Sequence, residues 1–116
     1  GEDSPTLSEP YTVDIFRDGN VTETFEDSVQ SDLIASVVNY LVESHDLISV
    51  IEPLPYIPAK KRAIINDEPT YSDRQMKQPR ELEEGYYLEV NLSWDQKQRE
   101  IERLADACGL ETIIEE

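Results

Sequence analysis

Histidine, cysteine, tryptophan and methionine each occur once in this chain of 116 residues, and glycine only four times. A lone cysteine, Cys108, rules out an internal disulfide and any cysteine-rich metal site. The single histidine, His45, leaves no histidine pair for a metal, and it is the only imidazole that a serine or thiol nucleophile could use as base. The glycines do not cluster into a phosphate-cradling loop, and no serine stands in a nucleophile elbow. No apolar run approaches the roughly 20 residues needed to cross a bilayer, and no charged-then-apolar signal peptide is present. These absences point to a non-catalytic, cytoplasmic domain with no cofactor and no membrane partner, although a signal peptide already removed would leave no trace. An enzyme working through carboxylates alone is the remote alternative, because pairs such as Glu83-Glu84 carry little information in a chain with 26 acids.

Positive charge is also scarce. Ten Lys and Arg face 26 Asp and Glu, giving a formal net charge of −16. Such a surface repels a polyanion and keeps the chain soluble through self-repulsion. The same composition is compatible with adaptation to high salt and, more remotely, with mimicry of a polyanion.

What is present has a regular order. Residues 1–10 hold two prolines and a single large aliphatic side chain, Leu7, and read as a tail or linker; 11–116 read as one α+β domain. A chain that opens on Gly1 reads as a piece of a longer protein. Tyr11 to Glu26 alternates as a β-hairpin around Arg17-Asp18-Gly19. A three-residue loop there places Ile15 opposite Val21 and gathers Tyr11, Val13, Ile15, Val21 and Phe25 on one face, with Glu23 as an edge carboxylate reaching water. A calcium loop over the same stretch fails, because Phe16 and Phe25 occupy ligand positions. Asp27 or Ser28 caps a helix to Ser44 whose stripe includes Val29, Leu33, Val37 and Leu41, and His45 after it complements the helix dipole or lies on the surface. Leu47 to Ile51 then reads as a strand ended by Pro53.

A second unit follows the same plan. Tyr86, Leu88, Val90 and Leu92 alternate with polar residues as a half-buried strand, and Ser93 with Gln96 forms a capping box. Trp94, Ile101, Leu104, Ala105 and Cys108 make the inward stripe of a helix that Gly109 ends, and residues 111–115 supply another strand. Two β-α-β units in series are the element order of the ferredoxin-like α/β plait, here with an extra N-terminal hairpin strand and a long insertion, 53–84, read as largely irregular apart from a short strand at Ala63 to Asn66.

That insertion holds the charge anomaly. Within 59–80, Lys60, Lys61, Arg62, Arg74, Lys77 and Arg80 meet only Asp67, Glu68 and Asp73, which is locally +3 and leaves −19 for the remainder. Tyr56 and Tyr71 interleave with these cations. Partner binding is therefore expected at Tyr56, Lys60, Lys61, Arg62, Tyr71, Arg74, Lys77 and Arg80. The leading expectation is a protein-interaction or regulatory domain serving a protein partner or neighbouring domains. The alternative is a nucleic-acid-associated accessory domain that contacts phosphates through this segment. The bland reading is that the segment lies on the protein's own acidic surface.

Overall fold

In the computed structural model of the protein, residues 10–58, 64–70 and 74–115 are described. They form a mixed α+β globule with two three-stranded antiparallel sheets and three helices.

The first sheet is built on the hairpin of β1 (Tyr11–Arg17) and β2 (Asn20–Asp27). Asp18 and Gly19 both take positive φ, +53° and +82°, and form a two-residue turn with Arg17 paired to Asn20. The expected three-residue loop is thus corrected, and the reason is a β-bulge. Phe16 pairs with Val21 but Ile15 pairs with Glu23, so Thr22 is the extra residue, and its hydroxyl donates to the Ile15 carbonyl at 3.2 Å. The bulge restores the parity that a two-residue loop alone would have broken. Tyr11, Val13, Ile15 and Phe25 share the inner face as expected, whereas Val21 falls on the outer face and is 54% exposed. Glu23 is exposed on the edge strand, in agreement with the sequence.

The chain enters α1 (Gln30–His45) through an Asp27 side chain that accepts from the Val29 amide at 2.9 Å; neither Asp27 nor Ser28 is the N-cap. Leu33, Ile34, Val37, Val38 and Leu41 are buried along its stripe. Asp46 adopts a left-handed conformation that stops α1, and the chain resumes at once as a short helix, α2 (Leu47–Ile51). The expected strand at 47–51 is therefore a helical turn. A five-residue apolar run does not distinguish strand from helix, and one turn suffices to bury Leu47 while Val50 stays exposed.

The second sheet comprises β3 (Ile65–Asn66), β4 (Pro79–Glu81) and β5 (Tyr87–Glu89) in the order β3-β5-β4. Tyr56 adds a bridge outside β3. Of the short strand expected at Ala63 to Asn66, Ile65 and Asn66 pair as β3 and Ala63 lies outside the described residues; the rest of 53–84 is less irregular than expected, since β4 lies within it, a 3₁₀ turn occupies Glu83–Gly85, and Met76 and Leu82 are buried. α3 (Trp94–Ala107) begins at the predicted capping box. It ends in a Schellman motif, in which the Gly109 and Leu110 amides donate to the Asp106 and Ala105 carbonyls, each at 2.9 Å.

β6 (Glu111–Glu115) pairs antiparallel with β1, giving a first sheet in the order β2-β1-β6. The two β-α-β units consequently do not share one sheet. With 47–51 helical and β5 joined to β3 and β4, the strand set of a plait is not assembled. α1 and α3 pack against each other, and the buried residues of the first sheet, both helices and the second sheet form one apolar core. No helix among the described residues is long and apolar enough to cross a membrane.

Candidate functional site

The second sheet is organised by one cross-strand row. Tyr56 faces Ile65, Ile65 faces Leu88 and Leu88 faces Arg80. Neighbouring strands are about 4.8 Å apart, so the row spans roughly 14 Å. Its centre, Ile65 and Leu88, is fully buried, and its two polar ends reach different helices. Arg80 donates to Asp32 in the first turn of α1 at 2.7 Å. At the other end the Tyr56 hydroxyl donates to Glu100 of α3 at 3.3 Å, and the second Glu100 oxygen accepts from Arg103 at 3.0 Å.

Around Glu100 the structure forms a groove. Helical spacing sets Gln96, Arg99, Glu100 and Arg103 along one flank of α3. Opposite them stand Pro58 and Ile64, held by the Tyr56–Ile65 bridge and its two backbone hydrogen bonds of 2.8 Å. Together with Leu92 these residues line a cavity of about 120 Å³. On the far side of Arg99 and Arg103 a second, open depression of about 570 Å³ runs to Leu110, Glu111 and Thr112. The two arginines, one turn apart, form the ridge between them. Arg103 is committed to Glu100, whereas Arg99 has no hydrogen-bond or ion-pair partner among the described residues.

Burial pushes the Glu100 carboxyl above the usual carboxylate range, partly offset by Arg103 and by the Tyr56 hydrogen bond. Burial and the Glu100 charge together raise the Tyr56 hydroxyl to about 12, so it remains a donor at all physiological pH. Lys97, also buried on α3, donates to the Leu92 carbonyl, and burial lowers its amine. These contacts hold Tyr56, Glu100 and Arg103 in place at the groove.

The predicted binding residues are divided by this arrangement. Tyr56 belongs to the groove, and Arg80 sits at the opposite end of the row against Asp32. Arg74 and Lys77 are exposed on the segment that covers the outer face of the second sheet. That segment is pinned by Glu89, whose fully buried carboxylate accepts from the amides of Lys77 and Gln78 at 2.8 Å and of Asn91 at 3.1 Å. Lys60, Lys61, Arg62 and Tyr71 lie outside the described residues.

The groove's α3 residues escape a reading by hydropathy, in which Arg99 and Arg103 belong to a solvated face. A signal was nevertheless present: Lys97 falls three residues after Trp94 and four before Ile101, so the apolar stripe carries a charge. His45 and Cys108 have structural surroundings. His45 Nε2 lies 3.0 Å from the Tyr40 hydroxyl, which donates to Thr22 at the bulge. Burial and the Arg17 charge lower the imidazole, against the expected role of dipole-stabilised cation. Burial and Asp46 raise the Cys108 thiol, away from the reactive thiolate form. Among the described residues no group of three or more His, Cys, Asp or Glu is placed to hold a metal. No protein-family model matches the chain, and no curated protein or solved structure is significantly similar to it.

Proposed function

We propose that the chain is a non-catalytic protein-interaction domain, and that the α3 groove receives an acidic side chain of a protein partner. The observation that carries this reading is Arg99 at the groove mouth, a guanidinium without a partner among the described residues in a chain of net charge −16. A carboxylate offers a planar guanidinium two parallel acceptors. The volume supports a side chain over a free ligand, because about 120 Å³ is well below the roughly 300–1,000 Å³ of pockets that enclose a small molecule. Ile64 and Leu92 supply the apolar wall that such a residue would lie against.

Selection of a randomised displayed peptide library, with the Arg99→Glu protein as counter-selection, tests this. Peptides carrying Asp or Glu beside an apolar residue are expected on the wild type and not on the variant. Equal recovery on both proteins, or a consensus without an acid, rejects the reading. The nucleic-acid alternative draws on the basic 59–80 segment, but Arg80 at its end is paired to Asp32 across the sheet from Tyr56. Salt-sensitive binding of single-stranded or duplex oligonucleotides that is lost when Lys60, Lys61 and Arg62 become Ala would establish that alternative instead.

A further inference from the structure

The outer face of the first sheet is a second surface, distinct in chemistry from the groove. α1 and α3 both pack on the inner side of this sheet, where Val13 and Ile15 are fully buried. The opposite side chains, Thr12, Asp14 and Phe16 of β1, Val21, Thr24 and Glu26 of β2, and Glu111, Ile113 and Glu115 of β6, are covered by no element among the described residues.

The composition of this face is specific. Val21 and Ile113 are 54% and 51% exposed, and Phe16 stands between them, directly opposite Val21 and one step diagonal to Ile113. Asp14, Glu111 and Glu115 adjoin these apolar side chains and Glu26 lies one row further along β2, beyond Thr24, whose hydroxyl donates to Asp14 at 2.8 Å. Neither Lys nor Arg shares the face among the described residues, because Arg17 has the parity of Ile15 and its charge bears on His45 at the inner side. The uncovered face of an antiparallel sheet is ordinarily polar, so apolar side chains crossing all three strands among carboxylates are the mark of a contact surface.

We propose that this face docks a basic amphipathic helix of a protein partner. Three strands about 4.8 Å apart make a surface roughly 10 Å across, the diameter of a single helix with its side chains. A helix laid over it would place its apolar stripe on Val21, Phe16 and Ile113 and its Lys and Arg against the four carboxylates. The charge of −16 would speed the encounter with such a partner. The groove lies on α3, which packs on the inner side of this sheet, and presents the opposite sign of charge.

Amide chemical-shift mapping with a synthetic helical peptide patterned in Lys and Leu, and with its Glu and Leu counterpart as control, tests the inference. Shifts at Phe16, Val21, Thr24 and Ile113 with the basic peptide alone are expected, with affinity falling about tenfold in Ile113→Lys and likewise in Val21→Lys. Both positions are exposed, and an unchanged melting temperature will confirm that each variant is folded. Three results overturn the proposal: absence of shifts, equal binding of the acidic peptide, or shifts that survive both substitutions and map instead to the separate acidic surface where Glu43 at the end of α1 stands against Glu83 and Glu84. Concentration-dependent self-association of the free protein that is abolished by Ile113→Lys would assign the face to a second copy of the chain and also overturn it.

Discussion

The two sheets differ in what holds them. In the first, strands of five to eight residues make a long ladder whose inner face is centred on the fully buried Val13 and Ile15, with Tyr11, Phe25 and Ile114 half-buried beside them. In the second, strands of two or three residues cannot make a ladder of that kind, and polar side chains complete the structure. Glu89 satisfies three amides, Asn66 donates to the Thr70 carbonyl at 2.9 Å, and Arg80 and Tyr56 tie the row to α1 and α3. The difference has a functional consequence. The hydrophobic sheet is the scaffold, while the sheet pinned by polar contacts carries the groove, so the geometry of Tyr56, Pro58 and Ile64 depends on a few hydrogen bonds remote from it.

Breaking each sheet at its own support should separate the two. Ile15→Ala removes a fully buried side chain from the centre of the first sheet, and a loss of about 4 kcal/mol in denaturant unfolding is expected, with all probes moving together. Glu89→Ala leaves three amides without their acceptor and should cost about 3 kcal/mol, concentrated in the second sheet; Glu89→Gln should retain part of this through its remaining oxygen. The cross-strand row is less sensitive at its exposed end. Arg80 and Asp32 are each 43% exposed, so Arg80→Ala should cost less than about 1 kcal/mol, and molar salt should remove even that.

A pH experiment sharpens the comparison on the scaffold side. His45 is lowered below its ordinary 6.5 in the folded protein, so the unfolded chain binds more protons in that window. Its contribution is therefore present at neutral pH and is lost as pH falls from the ordinary value through the lowered one. Between about pH 7 and pH 5 the wild type should lose more stability than His45→Gln, measured as the difference between the two urea curves so that the general titration of carboxylates cancels. Equal losses would show that the Thr22, Tyr40 and His45 chain does not discriminate the neutral imidazole.

Local signals were legible in the sequence where a single side chain decides the geometry. Ser93 and Gln96 announced the start of α3, Gly109 its end, and the alternation of Tyr11, Val13 and Ile15 the inner face of β1. The hairpin register was not legible, because one bulge residue, Thr22, exchanges the loop length without changing which β1 residues face inward. The strand pairing was not legible either: β6 pairs with β1, distant in sequence, and nothing local distinguishes that partner from β5. Leu47–Ile51 has the pattern of a strand yet is helical, because the left-handed Asp46 that precedes it, and not the apolar run, sets the direction in which the chain resumes. The site followed the same rule. Tyr56 was singled out for its neighbours in sequence, yet its partners Glu100 and Arg103 are brought to it by the fold, and Glu89 gave no sign that its mixed face would be covered.

The division between scaffold and groove-bearing sheet is tested most directly by native-state amide hydrogen exchange, residue by residue, in the wild type and in Glu89→Ala. The hydrogen-bonded amides of Tyr56, Ile64 and Glu89, in and beside the second sheet, are expected to lose protection in the variant, while Val13 and Ile15 of β1 keep theirs to within the change in global stability. An equal loss of protection in both sheets would contradict the account, since it would make the molecule one cooperative unit in which Glu89 supports the groove no more than it supports the hairpin.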